Sequence, residues 1–530
     1  MITQTHSDYA KNTKQWAKNR TFFEGEEAVK AQGSIYLPLL GYHKLEVDKT
    51  KASEAYNTYA QSAVFFDAVY RTVTAMSGLC FRKSPYIFGK EAVKYREDFT
   101  VDNKSLPNAA KDLLTEVLLQ GRVGLFVSYP QINTSDMTKK EVEEANIHAY
   151  SAIYKTEDII NWRVQKVKGS MVPVLVVLKE LVDPKSNDIF NTDQVEQYRV
   201  LQIDELGLYK QTVYSSVAGT PLNKQKAIPG VQDANGTITE EFYPMMDGKP
   251  MTEIPFFCIT PNGLSWEIER APLNGIVSLN NGHYINSAAY ESALSLTASP
   301  TLVLTNFQAD EKAKNIVLGG NSAISVGPGG KAEFLEYQGM GLDAYTKAMD
   351  DKKKEIAVLG IRIFTNDTQS NVSAEAVSIE SSGEQSVLAS IANSTSEALT
   401  KAAKIMSLWD NPKANVKDVE IKLNTDFTPS MLSPNAINAL SALWSKLGIS
   451  DEELFDILKQ GEVIPATTTY EEHKKSLEDS RNWGLLNTGL DLDPNRNLLV
   501  DSSRLITNDP NEGSKDTGSS GGSDNASKDE

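Results

Sequence analysis

The chain is poor in the residues that build disulfide frameworks and metal centres. Its 530 residues include only two cysteines, Cys80 and Cys258, and five histidines. The cysteines lie far apart in the sequence, and no histidine lies one helical turn from another beside a carboxylate, as in a zinc-binding helix. We therefore expect both cysteines to fill the core, and we expect no metal, no cofactor and no zinc chemistry.

The sequence also lacks long hydrophobic runs. The most apolar stretch, "PVLVVLKELV" at 173–182, is as long as a strand, whereas a membrane-spanning helix needs about 18 or more apolar residues. The amino terminus, "MITQTHSDYAKNTKQWAKNR", is polar and has no apolar segment of the signal-peptide kind. These features predict a protein that does not enter a membrane and stays in the cytoplasm.

Positive charge is scarce relative to negative charge. There are 53 lysines and arginines against 70 aspartates and glutamates, a net charge of −17. Because tight nucleic-acid binding needs clustered lysines and arginines that neutralise phosphates, this balance argues against it. It does not exclude a protein along which DNA slides. The length and the 40% hydrophobic content leave room for two to four domains with a buried core.

Apolar spacing in the first half predicts a mixed α+β body. Apolar residues recur every three or four positions from Tyr56 to Met76 and predict one helix that stops at Gly78. A second helix ends near Leu119 and is followed by Gly121 and an apolar strand that starts at Val123. From about 147 to 260, short apolar segments separated by turn residues predict strands.

The second half is predicted to be mainly helical, with one small β element. Long helices are expected at about 272–297 and 342–363, with short strands and glycine turns between them. A polar loop, then the helix "VLASIANSTSEALTKAAKIMSLW" and the strand "VEIKLNTDF", follow. Two or three helices come next, one opened by a capping box of Ser450 and Glu453.

Two glycine-rich patterns in "VGPGGKAEFLEYQGMGLDAYTKAM", residues 326–349, raise the possibility of nucleotide binding. A phosphate-binding loop needs a glycine where the sequence has Ser325, and a hydroxyl after Lys331 where it has Ala332. We interpret that stretch as a hairpin turn.

The second pattern has the form of a dinucleotide-binding turn. It consists of Gly339, Gly341 and Ala344, with Asp367 further on. The strand before it alternates with charges, unlike a first Rossmann strand, and no second βαβ unit follows. The glycines more simply let the chain turn from strand to helix, but a dinucleotide-binding enzyme stays open as an alternative.

The parts follow one another as an α+β body, a helix, a small β element, a second long helix, a polar loop and a helical end. This order resembles that of the bacteriophage portal protein family. Portal proteins are the head-to-tail connectors through which DNA enters and leaves the capsid. The local sequence is similar as well, over about residues 50 to 460. The segments that carry the similarity are "YNTYAQSAVFFDAVYRTVTAMSGLCFRKSP", "YESALSLTASPTLVLTNF", "GGNSAISVGPGGKAEFLEYQGMGL" and "SSGEQSVLASIANSTSEAL".

The resemblance implies an α+β portal-like subunit that has no enzymatic activity of its own. The implied regions are a wing at 1–271, a stem helix at 272–297, a clip at 298–340, a second stem helix at 341–364, a tunnel loop at 365–375, a return to the wing at 376–433 and a crown at 434–506. Residues 507–530 are expected to form a disordered acidic tail, because they contain almost no apolar residue.

The resemblance also implies partners and a location. We expect a ring of about twelve subunits at one capsid vertex of a virion, assembled in the host cytoplasm, with double-stranded DNA passing through the channel. Its protein partners would be the terminase large subunit, head-tail adaptor or tail proteins, and the major capsid and scaffolding proteins. The expected DNA-channel residues are Lys352, Lys353, Lys354, Asn366, Thr368, Gln369, Ser370 and Asn371.

Two alternative interpretations stay open, one for the lysines and one for the whole chain. The three lysines are also what a solvated helix face contains, with Asp350 and Asp351 pairing to Lys354. The chain as a whole would also fit another self-assembling virion protein, such as a capsid or tail component.

Overall fold

A computed structural model describes most of the chain as two compact units, residues Met1–Pro429 and Ser430–Glu530. The residues it describes are 2–40, 48–130, 137–167, 169–182, 194–215, 237–298, 301–306, 328–335, 341–364, 386–427, 434–446, 448, 450–460, 463–464 and 468–478. Outside these ranges lie the expected tunnel loop at 365–375, with Asn366, Thr368, Gln369, Ser370 and Asn371, as well as Gly339, Asp367 and the expected tail.

Helices and strands are mixed along the first unit, which confirms the α+β fold class. Its helices are α1 Ser7–Glu24, α2 Glu26–Ala31, α3 Lys49–Ser62, α4 Ala68–Cys80, α5 Lys90–Lys94, α6 Leu106–Gln120, α7 Lys139–Glu144, α8 Asn274–Ala298, α9 Leu342–Phe364 and α10 Val387–Asp410. Its strands are β1 Tyr86–Phe88, β2 Val123–Ser128, β3 Tyr150–Lys155, β4 Ile159–Val167, β5 Ser170–Val182, β6 Val195–Ile203, β7 Tyr209–Ser215, β8 Thr237–Phe242, β9 Met245–Met246, β10 Lys249–Pro250, β11 Phe256–Thr260, β12 Gly263–Leu264, β13 Thr301–Thr305, β14 Lys331–Leu335 and β15 Glu420–Lys422.

The core of this unit is built around α6. Its apolar residues occupy most of the helix circumference, and Leu113, Leu114 and Leu118 are fully buried. The helix ends where Gly121 adopts φ +73, and a Cβ atom there would lie 2.9 Å from the Glu269 carbonyl oxygen. Only glycine combines this left-handed conformation with so close an approach of another backbone segment.

Two antiparallel sheets flank this core. β2 is buried on both faces and lies inside a four-stranded sheet of order β12-β11-β2-β3. β4 to β8 form a five-stranded meander in sequence order. The strands predicted between about 147 and 260 are therefore confirmed where the structure describes them.

The helix predicted from Tyr56 to Gly78 is wrong as a single element. α3 ends at Ser62 and α4 begins at Ala68, so residues 63–67 form an extended break. Tertiary contacts favour the break, because the Val64 amide donates a hydrogen bond to the Ser287 hydroxyl of α8 and the Phe65 ring packs on Tyr284. The periodicity continues across 63–67 because both helices face the same core.

A small two-stranded sheet joins distant parts of this unit. β1 pairs with β15 in antiparallel register, with Phe88 opposite Glu420. α10 packs behind β15, and the two central residues of the sheet point inward: Ile421 is 1% exposed and Ile87 packs against the core. Residues more than 300 positions apart thus complete one body.

The second unit contains helices α11 Pro434–Ser445 and α12 Asp451–Gln460, and a further helix, α13, at 470–478. The capping box is confirmed: the Glu453 amide donates to the Ser450 hydroxyl at 3.2 Å, and the Ser450 amide donates to the Glu453 carboxylate at 2.8 Å. The Phe455 ring is buried against Tyr470 and His473 of α13.

Several sequence-based expectations concern single residues or composition. Cys80 and Cys258 are both buried, as predicted for residues that fill the core. Within the described ranges, no helix combines the length and the apolar character needed to span a membrane. No group of three or more potential metal ligands comes together in that part of the chain.

Candidate functional site

Two long helices, α8 and α9, lie side by side in opposite directions. A Cβ atom at Gly275 would lie 3.2 Å from Leu359 Cδ1, and one at Gly282 would lie 3.1 Å from Lys352 Cε. The contacts move backward along α9 as they move forward along α8, which makes the pair antiparallel. With 25 and 23 residues, each helix is about 35 Å long.

One end of this helix pair is embedded in the core and the other is exposed. Ile276 and Val277 near the start of α8 are at most 1% exposed, and Ile356 in the second half of α9 is 5% exposed. Tyr345 at the start of α9 and Leu294 near the end of α8 are more than a third exposed. The pair is therefore anchored in the body and extends away from it.

At the exposed end, β13 and β14 form an antiparallel hairpin with Leu302 opposite Phe334. Phe334 is 60% exposed and Leu335 is 66% exposed. Within the described residues this sheet has only two strands, and an isolated two-stranded hairpin is at best marginally stable in water. Large exposed apolar side chains on such an element are typical of a surface that another chain covers.

The three lysines expected to face DNA lie in the middle of α9 in three different environments. The Lys352 stem packs on Gly282 of α8, and the Lys353 ammonium lies 5.7 Å from the centroid of the Phe66 ring. Lys354 has the most exposed side chain of the three, at 79%. Lys354 thus has the least structural role.

Both aspartates that precede the lysines form ion pairs one turn along the helix. Asp351 lies 4.0 Å from Lys354, while Asp350 pairs with Lys353 at 3.5 Å rather than with Lys354. Exposed pairs of this kind contribute about 0.5 kcal/mol or less. They leave the ammonium groups free to exchange partners.

His283 lies at the same helix contact and was missed by reasoning from the sequence. Its ring is 5.2 Å from the Phe66 ring, and neither ring nitrogen has a hydrogen-bond partner among the described residues. Burial, and then the charges of Lys353 and Lys352, lower the pKa of the imidazole below its ordinary value. The histidine is therefore neutral at pH 7. Its only sequence signal is its position on the apolar face of α8.

The glycine pattern lacks the setting of a dinucleotide site in the part that the structure describes. All five residues of β14 are exposed, and its only partner there is the antiparallel β13. A Rossmann turn instead follows a buried strand of a parallel sheet. Gly341 immediately precedes α9, consistent with a turn from strand into helix.

Comparisons with known proteins concern the same region. A family profile described as "Domain of unknown function (DUF4055)" matches residues 272–410, about a quarter of the chain, from α8 to α10. No curated protein matches the sequence.

Two solved structures align with this chain over most of their length. One is from the neck of an empty gene transfer agent particle, reconstructed with C6 symmetry, at 11% identity and a TM-score of 0.35, covering 74% of this chain and 90% of the other. The second is from the virion of a native gene transfer agent particle, at 11% identity and a TM-score of 0.36, covering 74% and 89%. At these values neither likeness assigns a function to this chain.

Proposed function

We propose that the chain is a portal-type subunit, a structural protein that assembles into a ring at one vertex of a phage-like particle. The observation that carries the proposal is the antiparallel pair of α8 and α9, anchored in an α+β body and ending in a hairpin with exposed Phe334 and Leu335. A long projecting element with an uncovered apolar tip fits repeated side-by-side packing of copies.

The dimensions of such helices are compatible with a DNA channel. Twelve helices spaced about 10 Å apart around a circle leave an opening of roughly 28 Å, and a duplex is about 20 Å wide. A chain with a net charge of −17 suits a channel through which phosphates pass without being held.

Within this proposal, α8 and α9 form the stem, the hairpin belongs to the clip, and the unit from Ser430 contributes the crown. The segment 365–375 would be the tunnel loop, and residues 1–271 and 376–433 would be the wing. The terminase large subunit, head-tail adaptor or tail proteins, and capsid and scaffolding proteins would dock on the ring. Hydrolysis of ATP would belong to the terminase.

The assembly can be tested on the exposed hairpin. Changing Phe334 and Leu335 to Asp should abolish rings, because each places a charge on the surface that a neighbouring copy covers. Leu206→Asp is the matched control, since Leu206 is 81% exposed in a turn of the meander. Mass photometry should show parent and control rings of about 0.7 MDa, given the 58.2 kDa chain, and a smaller species for the hairpin variant.

A parent protein that stays a monomer or dimer when produced beside its scaffold would contradict the proposal. Rings that form equally well from the hairpin variant would show that assembly uses another surface. Incubation with NAD tests the dinucleotide alternative, because a bound ligand should raise the melting temperature.

The lysines of α9 test the channel. Since Lys352 and Lys353 pack on neighbouring elements, Lys354→Gln is the cleaner change, with Lys111→Gln on the exposed face of α6 as control. If Lys354 faces DNA, its variant should form rings and particles but retain or deliver the genome less completely. Deleting 368–372 should have the same effect. Full-length packaging and ejection by both variants would mean that neither segment contacts DNA.

A further inference from the structure

A separate cavity of about 580 Å³ lies between α10 and the segment that leads into β15. One wall carries Asn393, Lys401 and Lys404 of α10, the other carries Lys417 and Lys422, and Phe88 of β1 stands at the side. None of these residues has a role in the ring contacts or the channel proposed above.

Hydrogen bonds hold the two walls of this cavity together. The Thr400 hydroxyl accepts from the Ile421 amide at 3.0 Å and donates to the Ile421 carbonyl oxygen at 3.3 Å. The Ser396 hydroxyl accepts from the Leu423 amide at 2.9 Å. Two side chains of α10 thus satisfy the outer edge of β15, and the cavity has a fixed shape before any ligand enters.

The cavity is locally basic in an acidic protein. Four lysines line it, against the three carboxylates of Glu397, Asp418 and Glu420. Lys401 pairs with Glu397 at 2.7 Å and Lys422 pairs with Glu420 at 2.8 Å. Asp418 accepts a hydrogen bond from the Asn415 amide group.

Lys404 and Lys417 form no ion pair with any residue that the structure describes. Lys404 is half-buried and Lys417 is exposed. Two uncompensated cations in one cavity are the feature that the fold leaves unexplained.

Phe88, which lines the same cavity, forms an aromatic pair with Tyr86. Phe88 is 51% exposed and Tyr86 is 55% exposed, and their rings stack with centroids 6.1 Å apart and planes 6° apart. Both lie on the outer face of the small sheet, while Ile87 between them points into the core. An apolar side chain of a ligand would find contact area there.

We propose that this cavity binds a carboxylate-rich segment of a partner protein, with two carboxylates placed on Lys404 and Lys417 and an apolar side chain against Phe88. Two free ammonium groups match two carboxylates. The Glu397, Asp418 and Glu420 carboxylates would repel the evenly spaced phosphates of a nucleic acid, whereas a peptide can place an uncharged or basic side chain beside them.

Binding can be measured by fluorescence anisotropy with a dye-labelled hexapeptide of the sequence Glu-Glu-Leu-Glu-Glu-Leu. Changing Lys404 and Lys417 together to Glu should weaken binding at least about tenfold. Phe88→Ala should weaken it by a smaller factor. The control changes Lys14 and Lys111, two exposed lysines on other helices, to Glu, which gives the same net charge and should leave the dissociation constant within about twofold.

The outcomes separate the proposal from its alternatives. Equal weakening in the control would reduce the effect to overall charge and overturn the proposal, as would absence of peptide binding to the parent protein. A labelled oligonucleotide that binds with the same dependence on Lys404 and Lys417 would also overturn it, in favour of nucleic acid. If the double Glu variant does not fold by circular dichroism, single changes of Lys404 and Lys417 to Gln provide the test. Because ring size is measured independently, failure here is distinct from failure of the portal proposal.

Discussion

Arg122 is the most unusual single residue of the fold. It is fully buried, its guanidinium stacks 4.0 Å from the centroid of the Trp162 ring, and its Nε donates to the Cys258 sulfur at 2.9 Å. Neither terminal nitrogen has a hydrogen-bond partner among the described residues. The stacking offsets part of the desolvation cost of the charge, but the unsatisfied donors raise that cost.

We therefore predict that Arg122→Met changes the free energy of unfolding by no more than about 1 kcal/mol, or raises it. Leu125→Ala, at a fully buried position on the adjoining strand β2, should cost about 3 kcal/mol. Urea denaturation of both variants makes the comparison. An Arg122→Met loss as large as that of Leu125→Ala would show that the guanidinium stabilises the fold.

A second residue-scale prediction concerns Asp158, the residue after Glu157. Glu157 and Glu116 both form ion pairs with Arg20. Burial, together with the Glu157 charge, raises the pKa of the Asp158 carboxyl to about 6. Since the unfolded chain has a pKa near 3.8, the folded state binds the proton more tightly. The contribution of Asp158 to stability should therefore grow as the pH falls from about 7 to about 4.

Asp158→Asn should raise the melting temperature at pH 7 and flatten its pH dependence between about 4 and 6, because the amide carries no charge to desolvate. The matched control is Asp102→Asn at an exposed position. Melting scans over this pH range decide the matter, and an unchanged pH slope in Asp158→Asn would contradict the assignment.

At the scale of elements, the αL glycine after α6 joins a helix to a buried strand. Gly121→Ala combines a left-handed conformation with a Cβ atom 2.9 Å from the Glu269 carbonyl oxygen, whereas Gly207→Ala meets φ +77 with nothing within 4 Å. We expect a loss of about 1 kcal/mol for Gly207→Ala and at least about 2 kcal/mol more for Gly121→Ala. Equal losses in chemical denaturation would mean that the Glu269 segment moves away without cost.

Periodicity and capping predicted most elements because those signals are local. α6 with its glycine, α8, α9, α10 and the capping box of α12 follow from residues within a few positions of one another. The break at 63–67, the pairing of β1 with β15 and the environments of Arg122 and His283 depend on residues far away in the sequence. The lysines of α9 were found from the sequence, but their different surroundings were not, because a neighbouring helix determines which ammonium group is exposed.

At the scale of the whole molecule, the tail from Thr507, which lies outside the described residues, should be dispensable. Its composition offers almost no apolar surface to bury, so a chain ending at Ile506 should keep the melting temperature and the ring mass of the parent. A chain ending at Gln460 removes Tyr470 and His473, which cover Phe455, and should melt lower. Loss of several degrees in the chain that ends at Ile506 would show that the tail docks on the folded chain.

The pairing of β1 with β15 has a consequence for the timing of folding during synthesis. Phe88 cannot pair with Glu420 until about 330 further residues have been synthesised. This synthesis takes roughly 15 to 70 s at ordinary rates of translation. During this delay the ribosome has already released α8, the hairpin with Phe334 and Leu335, and α9, while the body that anchors them lacks α10 and its last strand. Nascent chains on one messenger are therefore most prone to premature association in this interval, and a chaperone that shields the hairpin would act before residue 420 emerges.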